Sequence, residues 1–475
     1  MLCNKWKPDR LRITKSLLVI TTAALICLKA TADITFEEHI TPILQNHCLL
    51  CHSESGISFS FENPETAYKF GPAMVSAVEE RRMPPWLAEP SHIQYEDDYS
   101  LNKEEIRTFT QWGENNYARN NALIKVKNIL SYTAQNSTFK SDKEVIVNNG
   151  NSYLPNQNKK DDYHCFLMEW PEKEKTYITG LRAIPGNAKV IHHLILFTAT
   201  PEIAPHLRKM ESEEEGSGYE CFGGGAPDRL GNPSVRAALD KLEDGLSRKI
   251  NSGINFLSHW APGMNGIQFP KDTGIPIEPG ALIIAQMHYY SAFAPGESDK
   301  NSAMHFITKK EVKKPGFFVT ITNRKWLNSK GNKTMVIPSK QEASYSITEN
   351  FRKIQRRVLS ILKIKSKEIK NLELHSANIH MHSYGKAGKV FLDDPLGNRE
   401  RLLTINNWDL NWQRNFTFHK PKVLPEKDLK DYKISIECEY TNPWEYPIYG
   451  GFGSNDEMCI NFSFIAVDKK IKKTL

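Results

Sequence analysis

The sequence predicts a multidomain protein in which a small all-α domain precedes two antiparallel β-sandwich domains of jelly-roll-like type. Three observations predict this fold class. Apolar residues near the N-terminus recur at helical spacing, and the last two thirds of the chain consist of short apolar runs separated by turn residues. The length of 475 residues is enough for about three domains.

Residues 1–32 are expected to be a targeting segment. Residues 5–15 are basic, residues 16–28 are apolar, and residues 30–32 offer small side chains for cleavage. The apolar run is short for a membrane span, so a secretory signal is favoured over an uncleaved anchor. We therefore expect a periplasmic or secreted protein whose mature chain has no stable membrane span.

The charge of the chain argues against a nucleic-acid partner. The segment 1–32 holds six basic residues against one Asp, which leaves only +2 of the total charge of +7 for the rest. Such a small excess does not produce the basic surface that nucleic-acid binding requires.

Residues 33–121 carry the first motif with clear chemistry, a C-x-x-C-H sequence formed by Cys48, Cys51 and His52. The two thiols can form thioethers with haem vinyl groups, and the adjacent imidazole can be an axial iron ligand. A zinc or thiol-redox pair is the alternative, but no second C-x-x-C follows. The region resembles the short cytochrome c modules of periplasmic oxidoreductases, which implies one covalently bound haem c.

The rest of this region fits a helical haem domain. Asn63 and Asn102 are placed to begin helices. Met83 is the candidate second haem ligand because the two prolines that follow hold the segment extended, so that it can cross a haem face. Met74 and His47 are the alternative ligands.

Residues 122–145 show little periodicity and are predicted to be a linker. The β region is too long for one ordinary sandwich, so we expect one sandwich at 146–309 and a second at 310–475. The predicted strands lie at residues 190–197, 281–290, 316–321, 372–382, 434–440 and 459–467.

Three histidines in the first β region are candidate metal ligands. His192 and His193 are adjacent in a predicted strand, where neighbouring side chains point to opposite faces. Either one of them is an ordinary core histidine, or a local β-bulge turns both toward one metal ion. His288 lies in a second strand and is the candidate third ligand.

The second β region offers a softer ligand set. His380 and His382 are two residues apart in an extended segment, so both imidazoles can point to one face. Met458 would add a thioether. Imidazole binds copper in both oxidation states, whereas a thioether favours Cu(I). A three-His set and a two-His-plus-Met set together predict two copper ions that cycle between Cu(I) and Cu(II).

The order and flanks of these motifs resemble the copper type II, ascorbate-dependent monooxygenases, the family of peptidylglycine α-hydroxylating and dopamine β-monooxygenases. The resemblance spans about residues 160–470. The matching motifs are His192-His193-Leu194-Ile195-Leu196-Phe197, Gln286-Met287-His288-Tyr289, His380-Met381-His382 with Gly385-Lys386, and Asp456-Glu457-Met458-Cys459.

The resemblance implies a function and a different role for each of the two copper ions. His192, His193 and His288 would hold an electron-storing copper, and a catalytic copper held by His380, His382 and Met458 would bind O2. The reaction would hydroxylate a C–H bond with O2 and two electrons from ascorbate or another one-electron reductant. Gln286 and His375 are candidates for orienting the ligand imidazoles.

Four cysteines remain outside the signal and the C-x-x-C-H motif, which allows three disulfide connectivities: Cys165, Cys221, Cys438 and Cys459. The resemblance implies a Cys438–Cys459 disulfide that braces the Met458 turn. A Cys165–Cys221 disulfide is possible, but no motif of the resemblance indicates this pairing.

The sequence departs from the family where peptidylglycine enzymes hold the carboxylate of their substrate. Asn378 replaces an Arg, and Ile460 and Phe462 replace an Asn and a Tyr. Without the bidentate Arg clamp, a peptide with a C-terminal glycine is not the expected substrate. The organic substrate stays unidentified.

Two hypotheses follow for the whole chain. In the first, the protein is a dicopper hydroxylase whose haem relays single electrons from a periplasmic donor to the three-His copper. In the second, the protein is a non-catalytic haem–copper electron carrier or a copper-binding protein. The presence of all six candidate copper ligands favours the hydroxylase.

Overall fold

The computed structural model describes residues 34–53, 58–96, 98–120, 143–150, 152–159, 162–187, 189–221, 250, 252–260, 266–290, 294–327, 334–451 and 455–470. The predicted signal at 1–32 and most of the predicted linker at 122–145 lie outside the described residues. Among the described residues, no helix combines the length and the apolarity needed to cross a bilayer.

The N-terminal region folds into four helical elements around its own apolar core. They are α1, a continuous segment formed by Phe36–Ile40, Thr41–Ile43 and Leu44–Cys48, then α2 (Pro64–Lys69), α3 (Gly71–Glu79) and α4 (Lys103–Glu114). Asn63 and Asn102 cap α2 and α4 as predicted, each accepting hydrogen bonds from two backbone N–H groups. The core includes the fully buried Phe36, Leu44 and Trp112. Two further helices occur later in the described chain, α5 (Ala204–Glu211) and α6 (Phe351–Leu362).

The rest of the described chain is mostly β-structure, as predicted. The strands are β1 (Glu144–Asn148), β2 (Ser152–Tyr153), β3 (Asp162–Glu169), β4 (Thr176–Ile184), β5 (Ile191–Ala199), β6 (Tyr219–Glu220), β7 (Ile254–Trp260), β8 (Ile267–Gln268), β9 (Thr273–Ile277), β10 (Leu282–Tyr289), β11 (Asp299–Lys300), β12 (Ala303–Lys309), β13 (Lys314–Ile321), β14 (Val336–Ile337), β15 (Glu342–Asn350), β16 (Ile369–Ala377), β17 (Gly385–Asp393), β18 (Arg399–Ile405), β19 (Phe416–Pro425), β20 (Lys433–Thr441), β21 (Ile448–Tyr449) and β22 (Asn461–Lys469).

One large sheet supports both halves of this β body. Its strand order is β1-β12-β4-β9-β13-β22-β16-β19, with β8 beside β4. A five-stranded sheet, β6-β3-β10-β5-β7, and a four-stranded sheet, β15-β20-β17-β18, provide the opposing layers. Pairing is antiparallel except between β13 and β9. The arrangement is that of two β-sandwiches, and the boundary near residue 310 stays a prediction.

Strand β22 belongs to both sandwich cores. Because side chains alternate across a strand, Phe464 and Ala466 pack into the core of the first sandwich, whereas Ile465 and Val467 pack into the core of the second. The five-stranded sheet and the four-stranded sheet are therefore held against opposite faces of the same strand.

The four cysteines outside the predicted signal and the C-x-x-C-H motif form two disulfides, Cys165–Cys221 and Cys438–Cys459. The second confirms the pairing that the resemblance implied. The first decides between the alternatives that the sequence left open. Disulfides are typical of proteins in oxidising compartments.

The chain between α3 and α4 attaches the helical region to the β body. Glu89 donates a backbone hydrogen bond to Thr404, at 2.9 Å, and Tyr95 forms a β-bridge with Phe418. The Tyr95 hydroxyl donates to the Leu402 carbonyl at 2.7 Å from a buried position. This contact is part of the second sandwich core, so the helical region docks there.

We expect Tyr95→Phe to destabilise the folded chain by about 1–2 kcal/mol, because the buried Leu402 carbonyl loses its donor. The free energy of unfolding in urea measures the change. Tyr446→Phe is the matched control, since the Tyr446 side chain is exposed. Equal stability of the two variants would contradict a buried hydrogen bond at Tyr95.

Candidate metal centres

A β-bulge brings the three histidines of the first sandwich together. In the pairing of β10 with β5, His288 lies opposite His193, and Tyr289 lies opposite Ile191. His192 is the extra residue between these two pairs. A bulge changes the direction of the side chain that it inserts. Of the two explanations for the His192-His193 pair, the structure therefore contains the bulge.

The three imidazoles converge through the same ring atom. The Nδ1 atoms of His192 and His193 are 3.1 Å apart, those of His193 and His288 are 3.1 Å apart, and those of His192 and His288 are 3.3 Å apart. A tetrahedral metal with bonds of about 2.0–2.1 Å to nitrogen separates its ligand atoms by about 3.3 Å. The cluster fits a metal ion bound by three nitrogens.

The surroundings keep His193 neutral and orient His288. Burial, followed by the neighbouring His288 and His192, lowers the pKa of His193 well below its usual range. Only a neutral imidazole offers a lone pair to a metal. The Tyr163 ring stacks on His288 at 4.2 Å between centroids and restricts its rotation.

The second cluster lies where β16 leads toward β17. His380 Nδ1 contacts Gln413 Oε1 at 2.6 Å, and His382 Nδ1 contacts the Asp456 carbonyl oxygen at 2.9 Å. Both rings are thus held through Nδ1, which makes Nε2 the atom that would face a metal. Their centroids are 5.3 Å apart. Burial and then the nearby His382 lower the pKa of His380 to about 4, so this ring is also neutral.

The Met458 turn reaches the second cluster through the backbone. Two backbone hydrogen bonds join His380 and Ile460 in an isolated β-bridge, two residues after Met458. That Met458 is a ligand of this cluster stays a prediction. The Cys438–Cys459 disulfide ties the Met458 turn to β20.

Glu457 connects the His380-to-His382 segment with the Met458 turn. Its buried carboxyl group accepts hydrogen bonds from the backbone N–H groups of His382 at 2.9 Å, Tyr384 at 2.6 Å and Met458 at 3.2 Å. Burial raises the pKa of Glu457 to about 7, although the three donors oppose the shift. The residue therefore fixes the backbone of two ligand-bearing segments at once.

The two clusters face each other closely enough to interact. His380 contributes to the lowered pKa of His193, and so does His259 on β7. Burial, with His380 as the next cause, lowers the pKa of His259 to about 4. A bulge in β7 opposite Leu196 and Phe197 sets His259 across from Ile195, on the face of the five-stranded sheet that carries His193. His259 is thus a neutral imidazole between the clusters.

At the positions where the peptidylglycine enzymes bind a carboxylate, the side chains of this protein form contacts within the protein itself. Asn378 is buried, its Oδ1 accepts from the Phe462 backbone N–H at 2.6 Å, and its backbone carbonyl accepts from the Asn461 side chain at 2.7 Å. The Phe462 ring lies 6.3 Å from the His380 ring and stacks on Phe256 at 4.3 Å. This wall of the site is aromatic.

The C-x-x-C-H residues form a turn at the end of α1, where the backbone N–H groups of Cys51 and His52 donate to the Cys48 carbonyl. Haem attachment at this turn stays a prediction. Cys48 and Cys51 are free thiols. Burial raises the pKa of Cys48 to about 12 and also raises that of Cys51, which disfavours a reactive thiolate pair. His52 Nδ1 contacts the Phe59 carbonyl oxygen at 3.0 Å, and Nε2 is then the atom for a metal.

The candidates for the second haem ligand differ in their surroundings. Met83 lines a cavity of about 560 Å³ between the helical region and the β body. Met74 is buried in the helical core, and His47 contacts the Tyr99 carbonyl and Glu105. These contacts occupy His47, and Met83 as the second ligand stays a prediction.

Sequence reasoning missed several residues that orient the clusters. Gln413, Glu457 and the Asp456 carbonyl hold the second cluster, and no local pattern marks Gln413 as a partner of His380. His259 is a single histidine beside Trp260, and no local pattern marks it as a partner of either cluster. The residues predicted to orient ligands have other contacts, since Gln286 donates to Cys221 Sγ at 3.7 Å and His375 contacts Glu373 at 3.1 Å.

Comparison with known families supports the first cluster. Residues 146–293 match the family model of the copper type II ascorbate-dependent monooxygenase N-terminal domain. This range contains His192, His193 and His288. The match supports the resemblance over the first sandwich and implies copper and ascorbate as cofactors of a copper-dependent oxidoreductase.

Solved structures resemble the chain only loosely. The major capsid protein P2 of bacteriophage PM2 is 10% identical with a TM-score of 0.26, and the match covers 70% of this chain and all of that protein. PNGF-II is 11% identical with a TM-score of 0.26, covering 69% of this chain and 66% of that chain. Similarities at this level carry no argument about function.

We expect Glu457→Ala to remove the acceptor of three backbone donors. The change should destabilise the fold by about 3 kcal/mol and weaken metal binding at the second cluster roughly 10- to 100-fold, while the three-His cluster keeps its affinity. Titration with Cu(I) in the presence of a competing chelator measures both affinities.

Glu342→Gln is the control for this experiment because Glu342 is exposed and pairs with Lys386 at the surface. A Glu457→Ala protein that binds metal at the second cluster as tightly as the control would contradict this role of Glu457.

Proposed function

We propose that this protein is a copper-dependent monooxygenase that hydroxylates a C–H bond of an organic substrate, with a fused haem c module that supplies electrons. The overall reaction is R–H + O2 + 2 e⁻ + 2 H⁺ → R–OH + H2O. The observation that carries the proposal is the convergence of His192, His193 and His288 through Nδ1 within a region that matches a copper monooxygenase family.

Both histidine clusters support the choice of copper. The first set consists only of imidazoles, which tolerate both oxidation states of copper. The second set adds the Met458 thioether, which favours Cu(I). When bound, copper supplies one-electron redox chemistry and activation of O2.

The protein side chains contribute position and protonation state. Gln413 and the Asp456 carbonyl orient His380 and His382. Low pKa values keep His193 and His380 neutral, so neither ring competes with the metal for a proton. Phe462 and Phe256 line the site with apolar surface, which limits water near the reacting bond.

The substrate is an organic molecule other than a peptide with a C-terminal glycine. Asn378 stands where an Arg clamp would be needed, and its side chain is already bonded to the Phe462 backbone. The aromatic wall favours a substrate with an apolar part next to the oxidised carbon.

The haem module would pass single electrons from a periplasmic or secreted donor toward copper. Cys48 and Cys51 would carry the haem, His52 would be one axial ligand and Met83 the other. Two disulfides support an oxidising compartment for the protein. Sequence reasoning assigned the entry of electrons to the three-His centre.

We expect Met458→Ala to abolish hydroxylation and to reduce bound copper from about two ions to about one ion per chain, because the three-His site keeps its ligands. Copper analysis and O2 uptake with ascorbate and a panel of small C–H substrates measure the two effects. Met210→Ala is the control, a partly buried methionine on α5.

The same assay separates the hydroxylase from a non-catalytic carrier. Wild-type protein that binds about two coppers but consumes no O2 with any substrate of the panel would favour the carrier. Met458→Ala protein that still hydroxylates would remove Met458 from the catalytic site.

A further inference from the structure

The residues that follow the short helical turn Leu410–Trp412 stand between the helical region and the second cluster. Gln413 contacts His380 Nδ1 on one side. On the other side, the Arg414 guanidinium lies 4.9 Å from the Trp86 ring centre and 4.6 Å from that of Tyr99. Two consecutive residues therefore touch both parts of the molecule.

Arg414 has an unsatisfied donor in this interface. Its Nη1 atom is buried and has no hydrogen-bond partner, and Arg414 forms no ion pair with an Asp or Glu of the described residues. The faces of Trp86 and Tyr99 attract the cation, but they do not replace a charge-assisted hydrogen bond. A half-buried guanidinium without a carboxylate is costly, so an anionic acceptor is expected at this position.

The C-x-x-C-H motif is connected to this donor through Tyr99. Arg414 lies over the Tyr99 ring, and the Tyr99 carbonyl oxygen contacts Nδ1 of His47, the residue before Cys48, at 2.9 Å. Arg414 also interacts electrostatically with the Cys51 thiol. A ligand attached to Cys51 therefore occupies space that Arg414 can reach. Haem c carries two propionate groups, which are carboxylates and match the planar fork of a guanidinium.

We propose that Arg414 binds a propionate of the haem attached to Cys48 and Cys51, and that this ion pair anchors the haem beside the His380 cluster. The inference rests on the proposed haem function and adds a residue of the β body to the haem site. Arg414 directly follows Gln413 in the chain, and the Gln413 side chain contacts His380.

The position of Arg414 also indicates where an electron would enter. When bound, haem would supply one electron at a time to a copper ion held by His380 and His382, and an external one-electron reductant would restore the haem. Arg414 and Gln413 would hold the two sites next to each other, because one would bind the haem and the other contacts His380.

The test compares full-length wild-type protein with Arg414→Gln and Arg414→Lys. Arg399→Gln is the control, because Arg399 is a half-exposed arginine that pairs with Asp393 on the second sandwich. Absorption of the pyridine haemochrome first shows whether haem is covalently bound. Wild-type protein without haem would overturn both the haem part of the proposed function and this inference.

With haem bound, the haem midpoint potential is titrated from pH 5 to pH 8. Loss of the positive charge should lower the equilibrium constant for haem reduction about tenfold, which is ~59 mV for one electron. The freed propionate should also titrate in this range, so the potential of Arg414→Gln should fall as the pH rises. Arg414→Lys should show a smaller shift, since a lysine keeps the charge but not the fork.

Two outcomes would overturn the inference while leaving the haem function intact. One is an Arg414→Gln potential equal to that of the wild type and of Arg399→Gln at every pH. The other is a lower potential without any new dependence on pH, which would make Arg414 a charge near the haem rather than a carboxylate ligand. If Arg414→Gln does not fold, the shift in Arg414→Lys decides between the same outcomes.

Discussion

The shared strand β22 is the constraint on which both candidate centres depend. One face of β22 packs against the sandwich that carries His192, His193 and His288, and the other face packs into the second core. Met458 lies three residues before this strand, and His380 follows its neighbour β16. The first cluster therefore lies on the sheet that packs against one face of β22, and the second lies in segments that adjoin β22. Alternating side chains of β22 cannot leave one core without disturbing the other.

Hydrogen bonds to backbone and amide oxygens then set the chemical state of the imidazoles. A histidine in a cleft lined by other histidines resists protonation, and each ring that gives one nitrogen to an acceptor keeps the other for a metal. Gln413 has this role for His380, and the Asp456 carbonyl has it for His382. Glu457 acts on the backbone rather than on the rings, because it fixes the segments from which these side chains extend.

The sequence predicted the parts of this arrangement that follow from local patterns. Short apolar runs between turn residues predicted the strands, and Asn63 and Asn102 predicted helix starts. Two adjacent histidines in one strand required either a bulge or an ordinary core histidine. The bulge at His192 is present. The Cys438–Cys459 pairing followed from the resemblance, whereas the Cys165–Cys221 pairing needed the structure, since spacing alone does not define connectivity.

The contacts that sequence reasoning missed join residues that are far apart in the chain. Gln413 is 33 positions from His380, and Tyr95 is 307 positions from Leu402. Neither belongs to a periodic segment whose partner is fixed by strand register. Asn378 also shows that the sequence does not give long-range contacts. Its identity excluded an Arg clamp, but only the structure shows its side chain bonded to the Phe462 backbone.

The distribution of charge around His380 bears on the class of substrate that the site would accept. Phe462 and Phe256 form an uncharged wall, and His259 and His193 are neutral. Among the described residues, Arg414 is the cation that interacts with this group of rings, and Trp86 and Tyr99 cover its guanidinium from the helical side. If Arg414 holds a haem propionate as proposed, its charge is already paired, and it offers no clamp for a substrate carboxylate. The aromatic wall and the neutral imidazoles then leave an acidic substrate without a counter-charge in this group of rings.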